Sequence, residues 1–311
     1  MPIMYFIGVT TASSSINSVF PRWGEELGLS GATLVGMDFK PHDDPSRYRE
    51  AVTRIKRDPD SHGALVTTHK MDLYAACHDL FDHIDPLAQS MGEIGSIYKR
   101  DGQLCGRAVD PENSGKALAA FLPENHWQLT GGETAACILG AGGASVALSW
   151  HLLTWCTDPQ NRPAKLVVSD INPERLDHMR AFHSTLNSDL PVEYQLSANA
   201  EDNDALVNAL PAGSLVVNAT GLGKDAPGSP LTDNVSFPQG GYVWEFNYRG
   251  NLVHLDQARS QKATRSLHIE DGWTYFIHGW SSVIADVFDI SIPSSGTVFD
   301  RLSAIAGQAR K

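Results

Sequence analysis

With 311 residues, 42% of them hydrophobic and 19% charged, the chain has the composition of a globular protein long enough for two domains, each with its own core. Thirty-six acidic against 24 basic side chains leave a formal charge of -12, which opposes the phosphate attraction behind non-specific nucleic-acid binding, so no nucleic-acid partner is expected. No run approaches the roughly 18 apolar residues of a membrane span, and the first eight residues read as a strand and not as a leader, so a cytoplasmic monomer or homodimer without membrane association is expected.

Along the chain, Ile3 to Val9 reads as a strand, Val19 to Leu27 as a helix and Ala32 to Met37 as a strand. Tyr48 to Arg57 follows as a helix and Gly63 to Thr67 as a strand, an alternation that predicts an α/β domain with a mainly parallel sheet. Ile94 to Tyr98 and Gln103 to Gly106 flank Lys99-Arg100-Asp101-Gly102, whose Asp-Gly pair predicts a hairpin and hence one antiparallel element. Pro111 to Pro123 reads as a helix leading out, and the polar stretch Glu124 to Glu133 marks the crossing into a second domain. There Ala135 to Leu139 is a buried strand, Ala144 to Trp155 a helix and Lys165 to Ser169 a strand. A helix over Glu174 to Leu186 and strands at Leu215 to Asn218 and Tyr242 to Phe246 complete a Rossmann-type, doubly wound pattern. Cys77, Cys105, Cys137 and Cys156 lack Cys-x-x-Cys spacing and are expected to be buried thiols. Asp82-His83-Ile84-Asp85 offers no third ligand, so no metal is expected.

The turn Gly140-Ala141-Gly142-Gly143-Ala144 lies between a strand and a helix, where glycines let the backbone approach a pyrophosphate and the helix N-terminus supplies free N–H groups. Glycine-rich loops are common, and the pattern gains meaning from context. The next strand delivers Asp170, a carboxylate able to accept hydrogen bonds from both ribose hydroxyls, with no arginine directly after it to meet a 2′-phosphate. NAD is therefore expected in preference to NADP. The step of thirty residues from Gly140 to Asp170 exceeds the usual interval of about 20, and the loop Thr157-Asp158-Pro159-Gln160-Asn161-Arg162-Pro163 accounts for the excess. The competing reading makes Asp170 a solvated strand-end or helix-cap residue before Asn172-Pro173-Glu174.

In order, these motifs resemble the shikimate/quinate dehydrogenase family over nearly the whole chain. Gly8 to Phe20 sits where that family has its Ser-x-Ser loop, and Leu65 to Lys70 is similar to its Val-Thr-x-Pro-x-Lys segment. Gly92 to Asp110 matches its Asp-Gly-x-Leu-x-Gly-x-Asn-Thr-Asp stretch at Asp101, Gly102, Leu104, Gly106 and Asp110. Asn218-Ala219-Thr220 and Asp271-Gly272 also match in order. The resemblance implies that residues 1–110 with 273–311 bind substrate, that 111–272 bind the dinucleotide, and that a cleft between them holds both. It implies Lys70 and Asp110 as the catalytic pair: oxidising a secondary alcohol requires a base or oxyanion stabiliser at its oxygen, and a buried amine oriented by a carboxylate suits that task. It places Asn218, Ala219 and Thr220 at the nicotinamide end, and Ser14, Thr67, Ser96, Tyr248 and His278 around a cyclic hydroxy-acid.

The departures are confined to the substrate side. Ile16 replaces the second serine, no proline precedes His69, Gly95-Ser96 and Ala108-Val109 stand where Asn-Thr pairs are expected, and Gly279 occupies the position of a glutamine. A polyol loses orders of magnitude when such partners are missing, so shikimate itself is not the expected substrate. Tyr248 and Arg249 keep an acid group plausible as a recognition element. Trp273, Tyr275, Phe276 and Trp280 imply either helix core or a flatter ligand, and His69 beside Lys70 either a proton-transfer aid or a core histidine. The alternative to a dehydrogenase is a non-catalytic NAD-binding sensor on the same fold.

Overall fold

A computed structural model describes residues 1–310 other than 157, 159 and 225. The chain folds as two compact units, Met1–Val109 with Ile277–Lys311, and Asp110–Phe276. Thr157 and Pro159 of the long loop expected before the second Rossmann strand, and the final Lys311, lie outside the described residues.

The first unit contains β1 (Ile3–Gly8), α1 (Ile16–Glu26), β2 (Thr33–Asp38), α2 (Pro45–Arg57), β3 (Ser61–Val66), α3 (Lys70–Cys77), β4 (His83–Ile84), α4 (Pro86–Met91), β5 (Ser96–Arg100) and β6 (Gln103–Arg107). Its six strands are ordered β2-β1-β3-β5-β6-β4. β1 pairs in parallel with β2 and β3, while β5 runs antiparallel to both β3 and β6. The β5–β6 turn forms as the Asp-Gly pair predicts: Asp101 and Gly102 have φ of 52° and 77°, the double left-handed conformation that matches strand twist. The first helix starts a turn earlier than expected because Ile16 is fully buried with Val19, Phe20 and Trp23 on one face, the spacing of a helix seated on a core. Burial of this kind contributes about 1.5–3 kcal/mol per large side chain. The core beneath the sheet gathers Tyr5, Ile7, Tyr48, Val52, Ile55, Val66 and Ile97.

The second unit contains α5 (Asp110–Phe121), α6 (His126–Leu129), β7 (Ala135–Leu139), α7 (Gly143–Thr154), β8 (Lys165–Asp170), α8 (Pro173–His183), β9 (Val192–Leu196), α9 (Ala200–Asn208), β10 (Leu215–Asn218), β11 (Tyr242–Glu245), α10 (Val253–Arg265) and β12 (His268–Glu270). Its sheet, ordered β12-β11-β10-β7-β8-β9, is parallel at every pairing. The strand order reverses between β7 and β10, the switch point outside which doubly wound sheets bind ligands. β7 is buried along its whole length, as a strand covered on both faces must be. Trp244 of β11 is fully buried, and its indole N–H donates to the Asp271 carbonyl at 3.1 Å.

Two further helices close the chain, α11 (Trp273–Phe288) and α12 (Gly296–Gly307). Within the first unit the C-terminal segment packs on α1 and β1: the Trp23 indole donates to the Leu302 carbonyl at 2.9 Å, and Trp280 meets the Phe6 ring of β1 edge-on at 4.9 Å. Cys77, Cys105 and Cys137 are buried, whereas Cys156 is only partly so, a correction to the expectation of four buried thiols. Burial pushes the Cys77 and Cys137 thiols up to about 12, which leaves them unreactive. Among the described residues no helix is long and apolar enough to cross a membrane.

Candidate functional site

In the second unit the predicted cofactor residues meet at the C-terminal ends of the parallel strands. β7 ends at Leu139 opposite Asn218 of β10, and Asn218 lies opposite Glu245 of β11. Gly140 leaves β7 with φ of +103°, a conformation that a side chain would strain. A Cβ at that position would lie 3.0 Å from the Ala219 carbonyl oxygen and 3.1 Å from Thr220 Cγ2. Glycine is thus the residue that lets the turn close on the Ala219-Thr220 backbone. Gly142 precedes the first turn of α7 in extended conformation, and a Cβ on it would have nothing within 4 Å. Gly143 and Ala144 form the first turn of α7, whose leading N–H groups have no carbonyl one turn back to bond. Ser145, in the third glycine's place, is fully buried with its hydroxyl unpartnered among the described residues.

Asp170 ends β8 with its carboxylate held from two sides. Oδ2 accepts the Ala141 N–H at 2.7 Å, and Oδ1 accepts the Asn172 N–H at 2.8 Å. Capping of α8 belongs to Asn172, which accepts the Glu174 N–H at 2.8 Å, so the cap reading of Asp170 gives way to one that ties it to the glycine turn. Each Asp170 oxygen retains lone-pair capacity beyond these bonds.

Next along the sheet, Asn218 is fully buried; its Oδ1 accepts the Thr220 N–H at 3.0 Å and the Thr220 hydroxyl at 2.7 Å. Its Nδ2 donates to Glu245 Oε2 at 2.5 Å. Burial raises the Glu245 carboxyl to about 7, against the lowering pull of hydrogen bonds from Asn247 and Asn218. Nothing in the sequence marks Glu245 or Asn247, because the bonds that tie them to Asn218, Thr220 and Leu222 span 25 to 27 residues. Tyr248, half-buried, follows directly; its ring lies 5.3 Å from that of Trp273 and 4.7 Å from that of Phe276. Trp273 and Phe276 are stacked at 4.9 Å and both buried, as is Trp280, which favours the helix-core reading of that aromatic group.

In the first unit, Lys70 opens α3 and is half-buried. A Cβ placed on Gly95 would lie 3.6 Å from Lys70 Cε and 3.0 Å from Val109 Cγ2, so the lysine stem runs over that glycine beside Val109. Asp110 follows Val109 in sequence and forms the first turn of α5 in the second unit. Thr67 donates its hydroxyl to the Ile7 carbonyl at 3.2 Å. Ser96, at the start of β5, is fully buried with its hydroxyl unpartnered among the described residues. Ser14 ends a short 3-10 turn, half-buried, whereas Ile16 two residues on is committed to the core. His69 is fully buried against Tyr48, whose hydroxyl is 3.0 Å from Nδ1; burial lowers its pKa, which is the core reading of that histidine. His278 is buried with its ring stacked on Phe299 at 4.6 Å. Asp82 accepts the Leu104 N–H and Asp85 the N–H groups of Ala88 and Ala108, so both carboxylates of the Asp-His-Ile-Asp run serve the backbone.

No family model matches the sequence. Among curated proteins, the chain is 29% identical over 258 residues to a shikimate dehydrogenase (NADP(+)) of Paramagnetospirillum magneticum, covering 82% of this chain and 81% of that one. It is 28% identical over 160 residues to a shikimate dehydrogenase (NADP(+)) of Streptococcus thermophilus, and there it spans only 50% of the relative's length. The fold is similar to that of shikimate 5-dehydrogenase from Thermus thermophilus solved with NADP(H) and shikimate, with a TM-score of 0.70 at 20% identity over 99% of this chain and 100% of that one. Quinate dehydrogenase from Corynebacterium glutamicum, solved with NAD, gives a TM-score of 0.70 at 17% identity over 99% of each chain. The sequence is thus similar over most of its length to a shikimate dehydrogenase, and the fold over nearly all of it to shikimate and quinate dehydrogenases.

Proposed function

We propose that the chain is a nicotinamide-dinucleotide-dependent dehydrogenase that interconverts a CH–OH group of a cyclic hydroxy-acid and the corresponding ketone, with NAD preferred to NADP. The observation behind the cofactor preference is the Asp170 carboxylate, bonded to Ala141 of the glycine turn at the end of β8. A second negative charge about 4 Å from a carboxylate costs about 4 kcal/mol at the effective dielectric of a protein surface, so a 2′-phosphate is disfavoured where a ribose hydroxyl is welcome. The named relatives and neighbours include both NADP and NAD users, so the preference rests on Asp170 and not on them.

The residues suit such a cofactor. Gly140, Ala141 and Gly142 keep the turn free of bulky side chains, and the α7 N-terminus would present the N–H groups of Gly142, Gly143 and Ala144 to a pyrophosphate. Asp170 would hold the ribose, and Asn218, Ala219 and Thr220 the nicotinamide end. When bound, the dinucleotide supplies the hydride acceptor or donor. Lys70 takes the alcohol proton in oxidation and returns it in reduction, with Asp110 orienting the amine and the hydroxyl. Tyr248 and Arg249 anchor the carboxylate. Ser14, Thr67, Ser96 and His278 contact the ring.

Titration calorimetry with NAD and with NADP, followed by turnover assays on shikimate, quinate and less hydroxylated ring acids, tests the proposal. Tighter binding of NAD and turnover of at least one such acid are expected. Equal or tighter binding of NADP would refute the cofactor reading, and tight NAD binding without turnover of any ring acid would point to the sensor.

A further inference from the structure

Glu245 has no part in the chemistry above, yet its carboxylate joins two loops at the C-terminal edge of the second unit's sheet. Oε2 accepts from Asn218 at the end of β10, while Oε1 accepts the Asn247 N–H at 2.8 Å and Asn247 Nδ2 at 2.7 Å. Asn247 Nδ2 also reaches the carbonyls of Thr220 at 3.2 Å and Leu222 at 3.4 Å. Asn218 in turn holds Thr220 through two hydrogen bonds. The segment 218–222 and the segment 247–248 are therefore fastened to each other both directly, by the Asn247 amide, and through Glu245, whose side chain has no exposed surface.

Three donors converge on Glu245, one on Oε2 and two on Oε1. A carboxylate, with acceptor sites on both oxygens, satisfies all three. An amide of the same shape sets its NH2 group against one of them, so glutamine fills the space but breaks the tie on one side. A purely space-filling residue would have no need of this donor set.

We propose that Glu245 is a positioning residue that couples the dinucleotide segment to the acid-binding segment, so that a dinucleotide held at Asn218–Thr220 orders Asn247 and Tyr248. The inference rests on the reading of those two segments given above. Coupling of this sort is reciprocal in binding free energy, so an acid on Tyr248 also tightens the dinucleotide.

Hydrogen–deuterium exchange on the full chain, with saturating NAD or NADP as the probe, tests it in the unsubstituted protein and in Glu245→Gln. In the unsubstituted protein, dinucleotide is expected to slow exchange at residues 218–222 and also at 247–249. In Glu245→Gln, protection at 218–222 persists while the dinucleotide-dependent protection at 247–249 falls by about tenfold or more. A merely structural role would raise exchange without ligand and leave the protection by ligand unchanged; that result overturns the inference. Should Glu245→Gln lack a cooperative thermal transition, Asn247→Ser cuts the side-chain tie from the other end, and the same loss is expected. If neither dinucleotide protects any segment of the unsubstituted chain, the dinucleotide reading itself fails and takes the inference with it.

Discussion

The loops at the strand ends of the second unit and those of the first are built differently. In the second unit, Asp170, Asn218, Thr220, Glu245 and Asn247 bond to one another or to the glycine turn, and the backbone is closed at Gly140. In the first, the positions expected to meet a substrate are a mixture: Ser96 is buried with a spare hydroxyl, Thr67 is bonded to its neighbouring strand, Ile16 is core, and Gly279 has nothing within 4 Å of a Cβ. A frame that satisfies itself can hold an invariant ligand in a fixed pose. A surface with spare groups leaves its hydrogen-bonding capacity open to the ligand that fills it. The difference teaches that, under the proposed roles, the dinucleotide side is fixed by its own hydrogen bonds while the substrate side is the place to look for what the ligand is.

The comparison breaks first at Lys70. Lys70→Ala is expected to lower turnover by about a hundred- to ten-thousandfold while calorimetric NAD affinity stays the same; if affinity falls alongside turnover, the two units do not divide the labour as described. Next is Glu245, whose carboxyl is raised from 4.5 to about 7 in the folded state. The folded protein then holds a proton that the unfolded chain has released, so this contribution is intact below about pH 4.5 and lost as pH climbs through about 7. Over that window the stability of the unsubstituted protein should fall relative to Glu245→Gln, by about 3 kcal/mol at most. Thermal midpoints measured from pH 4.5 to 8 give the difference, and parallel curves would remove the shift. The comparison with the variant is essential, because His151 and His183, lowered by burial to about 4, and His254, to about 3, pull stability down as pH falls below about 6.5.

Asp170→Ser sharpens the cofactor side. It should shift the NAD-to-NADP affinity ratio toward NADP by about ten- to a hundredfold, more at low salt, and an unchanged ratio would leave the preference without a cause. The smallest effect is expected at Gly279. Gly279→Gln meets nothing within 4 Å of its Cβ and supplies an amide for a ring hydroxyl, so shikimate turnover should rise by about tenfold or less. No gain would mean that the other replaced positions dominate.

Much of this organisation was legible because its causes are local. β7 is an unbroken apolar run, the β5–β6 turn follows from Asp101-Gly102, and the Gly140 turn falls between a strand and a helix. What could not be read has causes that are distant or weak. α3 buries only Leu73 and Cys77, β9 is an edge strand with no fully buried residue, and β12 is three residues long. Pro21, a helix breaker by its chemistry, lies inside α1 because the burial of Ile16 and Trp23 outweighs the one backbone bond it forgoes. The expected crossing near Glu124–Glu133 contains the short helix α6, and the second unit already begins at Asp110. At the site, Asp170 is marked by its place after a strand, but of the partners of Glu245 only Asn247 is near in the chain; Asn218 is 27 residues away, and no spacing rule announces that bond.

Trp244 gives the Glu245 network an optical label. Its indole is fully shielded, fixed through its N–H to the Asp271 carbonyl, and attached to the residue that bonds Asn218 and Asn247. Its emission should lie to the blue of that of the exposed Trp155, together with that of the buried Trp23, Trp127, Trp273 and Trp280. A ligand that reorders the two loops would then change the part of the fluorescence that Trp244→Phe removes, with no dye and no added residue.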